Sequence, residues 1–156
     1  MLKSISSTKK SYLAGFLDAD GSIYVQAKPN KTYRFGFQIA PYIVFYQSQK
    51  DAESFSHVCS LIQVGHKRLR KDGIVEYIIS KQEEIISFIK LVEPYVIMKK
   101  SQVALLKRII VLKRKAKTRK DFEQLIDKID QFRELNYSKK RKKRTLTPER
   151  LNFGLP

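Results

Sequence analysis

Residues 13 to 21, Leu-Ala-Gly-Phe-Leu-Asp-Ala-Asp-Gly, set small residues at helical spacing and then two acids just before a glycine. Gly15 and Ala19 lie four apart and share one helix face, where the absence of bulk lets a second helix approach backbone to backbone. Leu13 and Phe16 are expected to border that contact. Asp18 and Asp20 lie two apart, about 200° around a helix, so their carboxylates cannot share a task. Asp20 directly precedes Gly21, at the terminus where helix carbonyls lack partners and the dipole is negative. A carboxylate there calls for a bound cation, whereas Asp18 faces away and is assigned a structural part. An amphipathic helix with solvated acids and a left-handed glycine cap has the same spacing, so this stretch by itself leaves both readings open.

Composition narrows the partner. The 156 residues suffice for one hydrophobic core, and the expected organisation is a single domain over residues 1–136 with a basic tail over 137–156. Lys and Arg number 32 against 15 acids, a net charge of +17 that points to nucleic acid or another anionic surface. Residues 97 to 120 carry ten basic side chains and no acid, residues 139 to 144 are Lys-Lys-Arg-Lys-Lys-Arg, and residues 21 to 50 contain no acid. No stretch approaches the roughly 18 to 20 apolar residues of a membrane span, so no membrane partner is expected. Cys59, the one cysteine, sits among Val58, Leu61 and Ile62 and reads as a core thiol. His57 and His66 form no ligand cluster and no Gly-rich phosphate loop is present, which leaves zinc and nucleotide chemistry without support.

Ser7 or Thr8 is expected to cap a helix over about 8 to 20. Alternation over 22 to 28 predicts a strand with Tyr24, Gln26 and Lys28 on one face, and Pro29-Asn30-Lys31-Thr32 a turn. A second strand is expected from Arg34 to Gln47, with Phe35, Phe37, Ile39, Ile43 and Phe45 inward and a bulge or unpaired position at Pro41. Ser48 with Asp51 suggests a capping box opening a helix over about 49 to 62. Strands over 66 to 71 and 74 to 80 follow, joined by Lys71-Asp72-Gly73, with His66, Arg68 and Arg70 to one side. Helices are expected over 81 to 92 and 99 to 115, and Thr118 with Asp121 opens a last one carrying Phe122, Leu125, Ile126, Ile129, Phe132 and Leu135 at helical spacing.

This order predicts an α+β fold, an αββαββα core with an antiparallel sheet and additional C-terminal helices. Helices cover one sheet face. The other presents Gln26, Lys28, Gln38, Arg68 and Arg70, interleaved with Tyr24, Tyr33, Tyr42 and Tyr46. Water is one recipient for such a face. The absence of acids and the large aromatics favour DNA, since a two-stranded ribbon fits the major groove and its Gln and Arg side chains read base edges.

The motif of residues 13 to 21 matches seven of the nine letters that name the LAGLIDADG homing endonucleases, Phe16 and Leu17 being the departures. Tyr12, Ser22-Ile23, Gln26, Lys28-Pro29-Asn30, Tyr33, Gln38, Gln47 and Lys99 also resemble that family, over roughly residues 10 to 136. One motif copy resembles the branch that acts as homodimers. The resemblance implies a saddle-like sheet on duplex DNA, to which Asn30, Thr32, Arg34, Glu76 and Ile78 also contribute, and Mg²⁺-dependent cleavage of a long pseudo-palindromic site, with Mn²⁺ as substitute. It implies metal binding at Asp20 and Ala19, a water-orienting part for Gln47 and a positive charge at Lys99. Where the family commonly has Arg or Lys four residues after this Gln, the chain has Asp51, and Lys50 is the basic group that can take its place.

One Asp20 is too little for phosphodiester hydrolysis, so two chains paired through Gly15 and Ala19 make the active site. Two alternatives stay open: an intron RNA maturase, since family members splice and a +17 chain binds RNA readily, and a non-catalytic DNA-binding protein. Two facing carboxylates favour the nuclease, because their charges repel unless a cation joins them. Abundant Lys, Ile and Tyr suit an AT-rich genome such as an organelle's, and the expected place is intracellular, in a chloroplast or mitochondrion or in a prokaryotic cytoplasm.

Overall fold

The computed structural model describes residues 2–136, so the basic tail expected over 137–156 lies outside the described residues. In chain order the elements are α1 (Ser7–Asp20), β1 (Gly21–Pro29), β2 (Phe37–Ser48), α2 (Ala52–Ile62), β3 (His66–Leu69), β4 (Ile74–Ile79), α3 (Gln82–Val92), α4 (Lys100–Lys115) and α5 (Arg119–Leu135). Short 3₁₀ turns at Gln49–Asp51 and Glu93–Tyr95 precede α2 and follow α3. The four strands form one sheet in the order β1-β2-β4-β3, with β4 antiparallel to both β2 and β3. This is the α+β arrangement that the element order predicts. The described residues divide into two compact units: those up to Ile23 with Tyr42–Val103, and Tyr24–Pro41 with those from Ala104 onward.

In the first unit α1 buries Leu13, Ala14 and Leu17, while Gly15 and Ala19 stay exposed. Phe16 is half-buried, stacked on Phe45 at 5.0 Å and tilted against Phe55 at 6.3 Å. Phe45 meets Phe88 edge-on at 6.0 Å and Phe55 meets Tyr77 likewise at 6.4 Å, so aromatic contacts run from α1 through β2 and α2 to α3 and β4. Each such pair contributes about 0.5–1.5 kcal/mol beyond the burial of its rings. Gly21 does not cap α1 in the left-handed region: at φ −82° and ψ 149° it is extended and opens β1. A Cβ there would lie 2.6 Å from Leu17 Cδ1 and 2.8 Å from the Leu17 carbonyl oxygen, so the tight passage from helix to strand demands glycine. The cap at the other end is Ser6, not Ser7 or Thr8, its hydroxyl accepting from the Lys9 amide at 3.3 Å. Ahead of it, the Gln63 side chain accepts from Lys3 N at 2.6 Å and donates to Lys3 O at 3.0 Å, tying the arm to the end of α2.

Ser48 accepts from the Lys50 amide at 3.2 Å and starts only the 3₁₀ turn; α2 begins at Ala52, and Asp51 makes no side-chain cap bond to it. Cys59 is 4% exposed, and burial pushes its thiol up to about 11, as a core thiol requires. Burial likewise raises the Tyr77 phenol to about 12.

In the second unit Phe122 stacks on Phe35 at 4.9 Å and on Phe37 at 6.2 Å. Along α5, Phe122, Leu125, Ile126, Ile129 and Phe132 are buried and Leu135 half-buried, as the spacing predicts. The Thr118/Asp121 capping box is present: Thr118 Oγ1 accepts from Asp121 N at 3.1 Å while Asp121 Oδ2 accepts from Thr118 N at 3.0 Å. The turn after β1 is longer than the sequence suggests. Asn30 Oδ1 accepts from the Thr32 amide and hydroxyl at 3.0 and 2.7 Å, Gly36 takes φ +77°, and β2 starts at Phe37 rather than Arg34. The strand then runs on through Pro41, which lies ahead of the ladder to β4 that starts at Ile43.

Candidate active site and nucleic-acid interface

The two acids of the motif part company at the end of α1. Asp20 is exposed, and its Oδ2 accepts from Gln47 Nε2 at 3.0 Å, across 27 residues of chain. The strand-to-turn junction at Ser48 brings Gln47 there from the end of β2. Asp18 is committed elsewhere. Its Oδ2 accepts from the amides of Ile97 at 2.8 Å and Met98 at 3.1 Å, and its Oδ1 from that of Lys99 at 3.0 Å. Partial burial raises the Asp18 pKa, but these three amides and the Lys99 charge outweigh it and hold the carboxyl below its usual range.

Lys99 is half-buried and its Nζ donates to the Asp18 carbonyl at 2.7 Å, which satisfies one of the orphan acceptors at the end of α1. Asp20, Gln47, Lys99 and Asp18 thus gather around that terminus, all within the first unit. Lys50 and Asp51 follow Gln47 on the 3₁₀ turn with both side chains exposed. Sequence reasoning separated Asp18 from Asp20 but missed what Asp18 binds. No local signal carries it, because its partners are 79 to 81 residues away.

The hairpin β3–β4 carries the second group of the first unit. Register sets Arg68 opposite Glu76 and His66 opposite Ile78, with Tyr46 of β2 opposite Glu76 on its other side. Glu76 is 6% exposed; it accepts from Arg68 Nε at 2.6 Å and lies 3.7 Å from Arg70, which also pairs with Asp72 at 2.6 Å. Glu76 was expected as a DNA contact. The structure makes it instead the buried acid that holds two arginines, because a carboxylate between them on the sheet is satisfied within the protein. This pairing was open to a register argument, since the Asp72-Gly73 turn fixes which residues of β3 and β4 face each other. Tyr42, Tyr46 and Ile78 are half-buried.

In the second unit Tyr24, Gln26 and Gln38 are half-buried and Lys28, Thr32, Tyr33 and Arg34 exposed. Arg34 lies over the Phe35 ring at 5.4 Å. Asn30 and Thr32, also expected to reach DNA, are bonded to each other and brace the turn. Of the residues expected at a dimer face, Leu13 has no exposed surface and belongs to the core of the chain, on the side of α1 opposite Gly15 and Ala19. Tyr12, 54% exposed, is the large residue on the open side.

The Asp20 carboxylate is exposed and offers oxygen, and the carbonyl of Ala19, its neighbour in sequence, lies in the last turn of α1, where helix carbonyls lack intrahelical partners. That set fits a hard cation that keeps most of its waters. Among the described residues no group of three His, Cys, Asp or Glu side chains could enclose a metal ion, and no helix is long and apolar enough to cross a membrane.

The sequence profile of the family described as LAGLIDADG endonuclease matches residues 13–112. DNA endonuclease I-CreI of Chlamydomonas reinhardtii is 35% identical over 134 residues, 84% of this chain and 80% of that protein. DNA endonuclease I-CvuI of Chlorella vulgaris is 28% identical over 102 residues, 65% of this chain and 63% of that one. The crystal structure of the homing endonuclease I-CvuI, bound to the I-CreI target in 2 mM Mg with the DNA not cleaved, superposes with a TM-score of 0.82 at 25% identity, covering 93% of this chain and 90% of that one. With its motif helix ending in an exposed Asp20 and its fold shared at that level, the chain belongs to the LAGLIDADG endonuclease family.

Proposed function

We infer that the protein is a homing endonuclease, a site-specific enzyme that hydrolyses phosphodiester bonds of duplex DNA and leaves a double-strand break. The observation that carries this is the exposed Asp20 carboxylate at the end of α1, bonded by Gln47 at 3.0 Å, in a chain of an endonuclease family. Asp20 and the Ala19 carbonyl would hold Mg²⁺, or Mn²⁺ in its place. Held there, such a cation would supply neutralisation of the charge that builds on the transferring phosphate and the leaving oxygen.

The side chains supply the rest. Gln47 donates its amide nitrogen to Asp20, so its carbonyl oxygen is the atom that accepts from a water and aims it. Lys99 holds an ammonium at the end of α1, where positive charge favours the transition state over the bound substrate. Lys50, on the turn after Gln47, supplies a second cation where Asp51 cannot. Two copies joined along Gly15 and Ala19 bring two Asp20 carboxylates together, one for each strand, and give the site its pseudo-palindromic symmetry. Within the first unit Arg68 and Arg70 face the bases; within the second, Gln26, Gln38 and Tyr33 do.

Selection of cleaved molecules from a random duplex pool with Mg²⁺ tests this. A recovered long, near-symmetric site cut on both strands is expected. Retention of one sequence without cutting would make the protein a DNA-binding one.

A further inference from the structure

We propose that Asp18 is a positioning residue for cleavage: it fixes Lys99, and through Lys99 the positive charge at the end of the helix from which Asp20 projects. This rests on Lys99 belonging to the cleavage machinery.

Val96 is buried at 1% exposure and its amide donates to Val92 O at 3.2 Å, but the two residues between it and Lys99 are not held by their own side chains. Ile97 and Met98 are 75% and 78% exposed, so two large apolar groups turn outward just where Lys99 must be placed. Nor does the sequence supply a local cap, since residues 96 to 100 are Val-Ile-Met-Lys-Lys, with no Ser, Thr, Asp or Asn among them. The helix begins with Val103 N donating to Lys99 O at 2.9 Å, so the amides of Ile97, Met98 and Lys99 lie ahead of its hydrogen-bond ladder and need acceptors outside it. Asp18 accepts all three at 2.8 to 3.1 Å. Lys99 returns the contact with its ammonium on the Asp18 carbonyl at 2.7 Å, so main chain and side chain of Lys99 are both tied to one residue of α1. Asp18 therefore fixes the distance between the Lys99 charge and the Asp20 carboxylate two residues further on. Burial of Ile97 or Met98 does not replace it, and neither does a local cap.

A cycle of Asp18→Asn, Lys99→Ala and the double variant separates positioning from plain helix capping. The readouts are single-turnover cleavage of the selected site in Mg²⁺, DNA affinity with Ca²⁺ replacing Mg²⁺, and amide hydrogen exchange at residues 97 to 99 without DNA. Asp18→Asn is expected to speed exchange at those amides, leave affinity within about twofold and slow cleavage about a hundredfold, the scale of a small misplacement. The double variant should cut no more slowly than Lys99→Ala, because the two residues act through one group. Losses that multiply in the double variant, or a parental rate in Asp18→Asn, overturn the proposal. A parental rate in Lys99→Ala instead overturns the part given to Lys99 and with it the premise. If Asp18→Asn does not fold, Asp18→Ser, which keeps a capping oxygen, takes its place in the same cycle with the same outcomes.

Discussion

At the scale of single residues, the division between the two motif acids follows from helix geometry alone. Positions separated by about 200° face different surroundings, and the structure gives Asp20 to Gln47 and Asp18 to the segment before α4. Asp20 is exposed, so Asp20→Asn leaves the core untouched; cleavage should fall by at least about a thousandfold, the loss expected for a group acting on the transition state, while DNA affinity persists. Gel assays of cleavage beside fluorescence anisotropy check it, and unchanged cutting would remove Asp20 from the chemistry. Lys50→Ala should slow cutting with little change in binding, and Asp51→Arg should then restore the rate if both side chains reach one phosphate. What the sequence could not convey at this scale is a partner far along the chain. Asp18 and Ile97 are 79 residues apart and only the folded backbone joins them, whereas Glu76 and Arg68 were within reach through strand register.

At the scale of elements, local chemistry was legible where a signal acts within three or four residues and misleading where two structures share one pattern. The α5 capping box and its apolar stripe were read correctly because both are local to the helix. The same box written as Ser48 and Asp51 produced only a 3₁₀ turn, the Ser48 hydroxyl being taken by the Lys50 amide. The alternation places the start of β2 three residues early, since Phe35 continues the pattern but packs on Phe122 from the turn, which Asn30 and Gly36 extend. For α5 a pH dependence follows. The amides of Lys117 and Thr118, then the Thr118 hydroxyl, hold the Asp121 carboxyl below its ordinary 3.8. A depressed folded pKa contributes stability that is present above the unfolded value and lost as pH falls through the folded one. Asp121→Ala should therefore lower Tm at neutral pH, with the gap from the parent closing once the pH drops below about 3.8. Thermal melts by circular dichroism from pH 7 to pH 2 would show it, and a gap that stays constant would mean that the cap acts without its charge.

At the scale of the whole molecule, the charge of +17 and the single motif copy were the legible facts, and both concern partners rather than the protomer. Charge sets the first expectation: DNA affinity should fall steeply with salt, log K against log[salt] having a slope of about −0.9 for each phosphate neutralised. The motif sets the second, and the protomer makes it a clean one. A Cβ added at Gly15 meets nothing within 4 Å, Ala19 is exposed on the same face, and the buried side of α1 is filled by Leu13, Ala14 and Leu17. Gly15→Leu therefore removes no contact inside the chain, and replacing a helical glycine raises helix stability by up to about 1 kcal/mol. The protomer should melt no lower than its parent. A leucine on that face nevertheless blocks the close helix approach that a pair of Gly15 and Ala19 stripes permits, so sedimentation should shift from dimer to monomer and double-strand cleavage should disappear with it. Loss of the dimer together with an unchanged or higher melting temperature assigns the defect to the partner contact and not to folding. A dimer that survives Gly15→Leu and still cuts would place the two-fold axis somewhere other than α1, and the second Asp20 would then have to arrive by a different face.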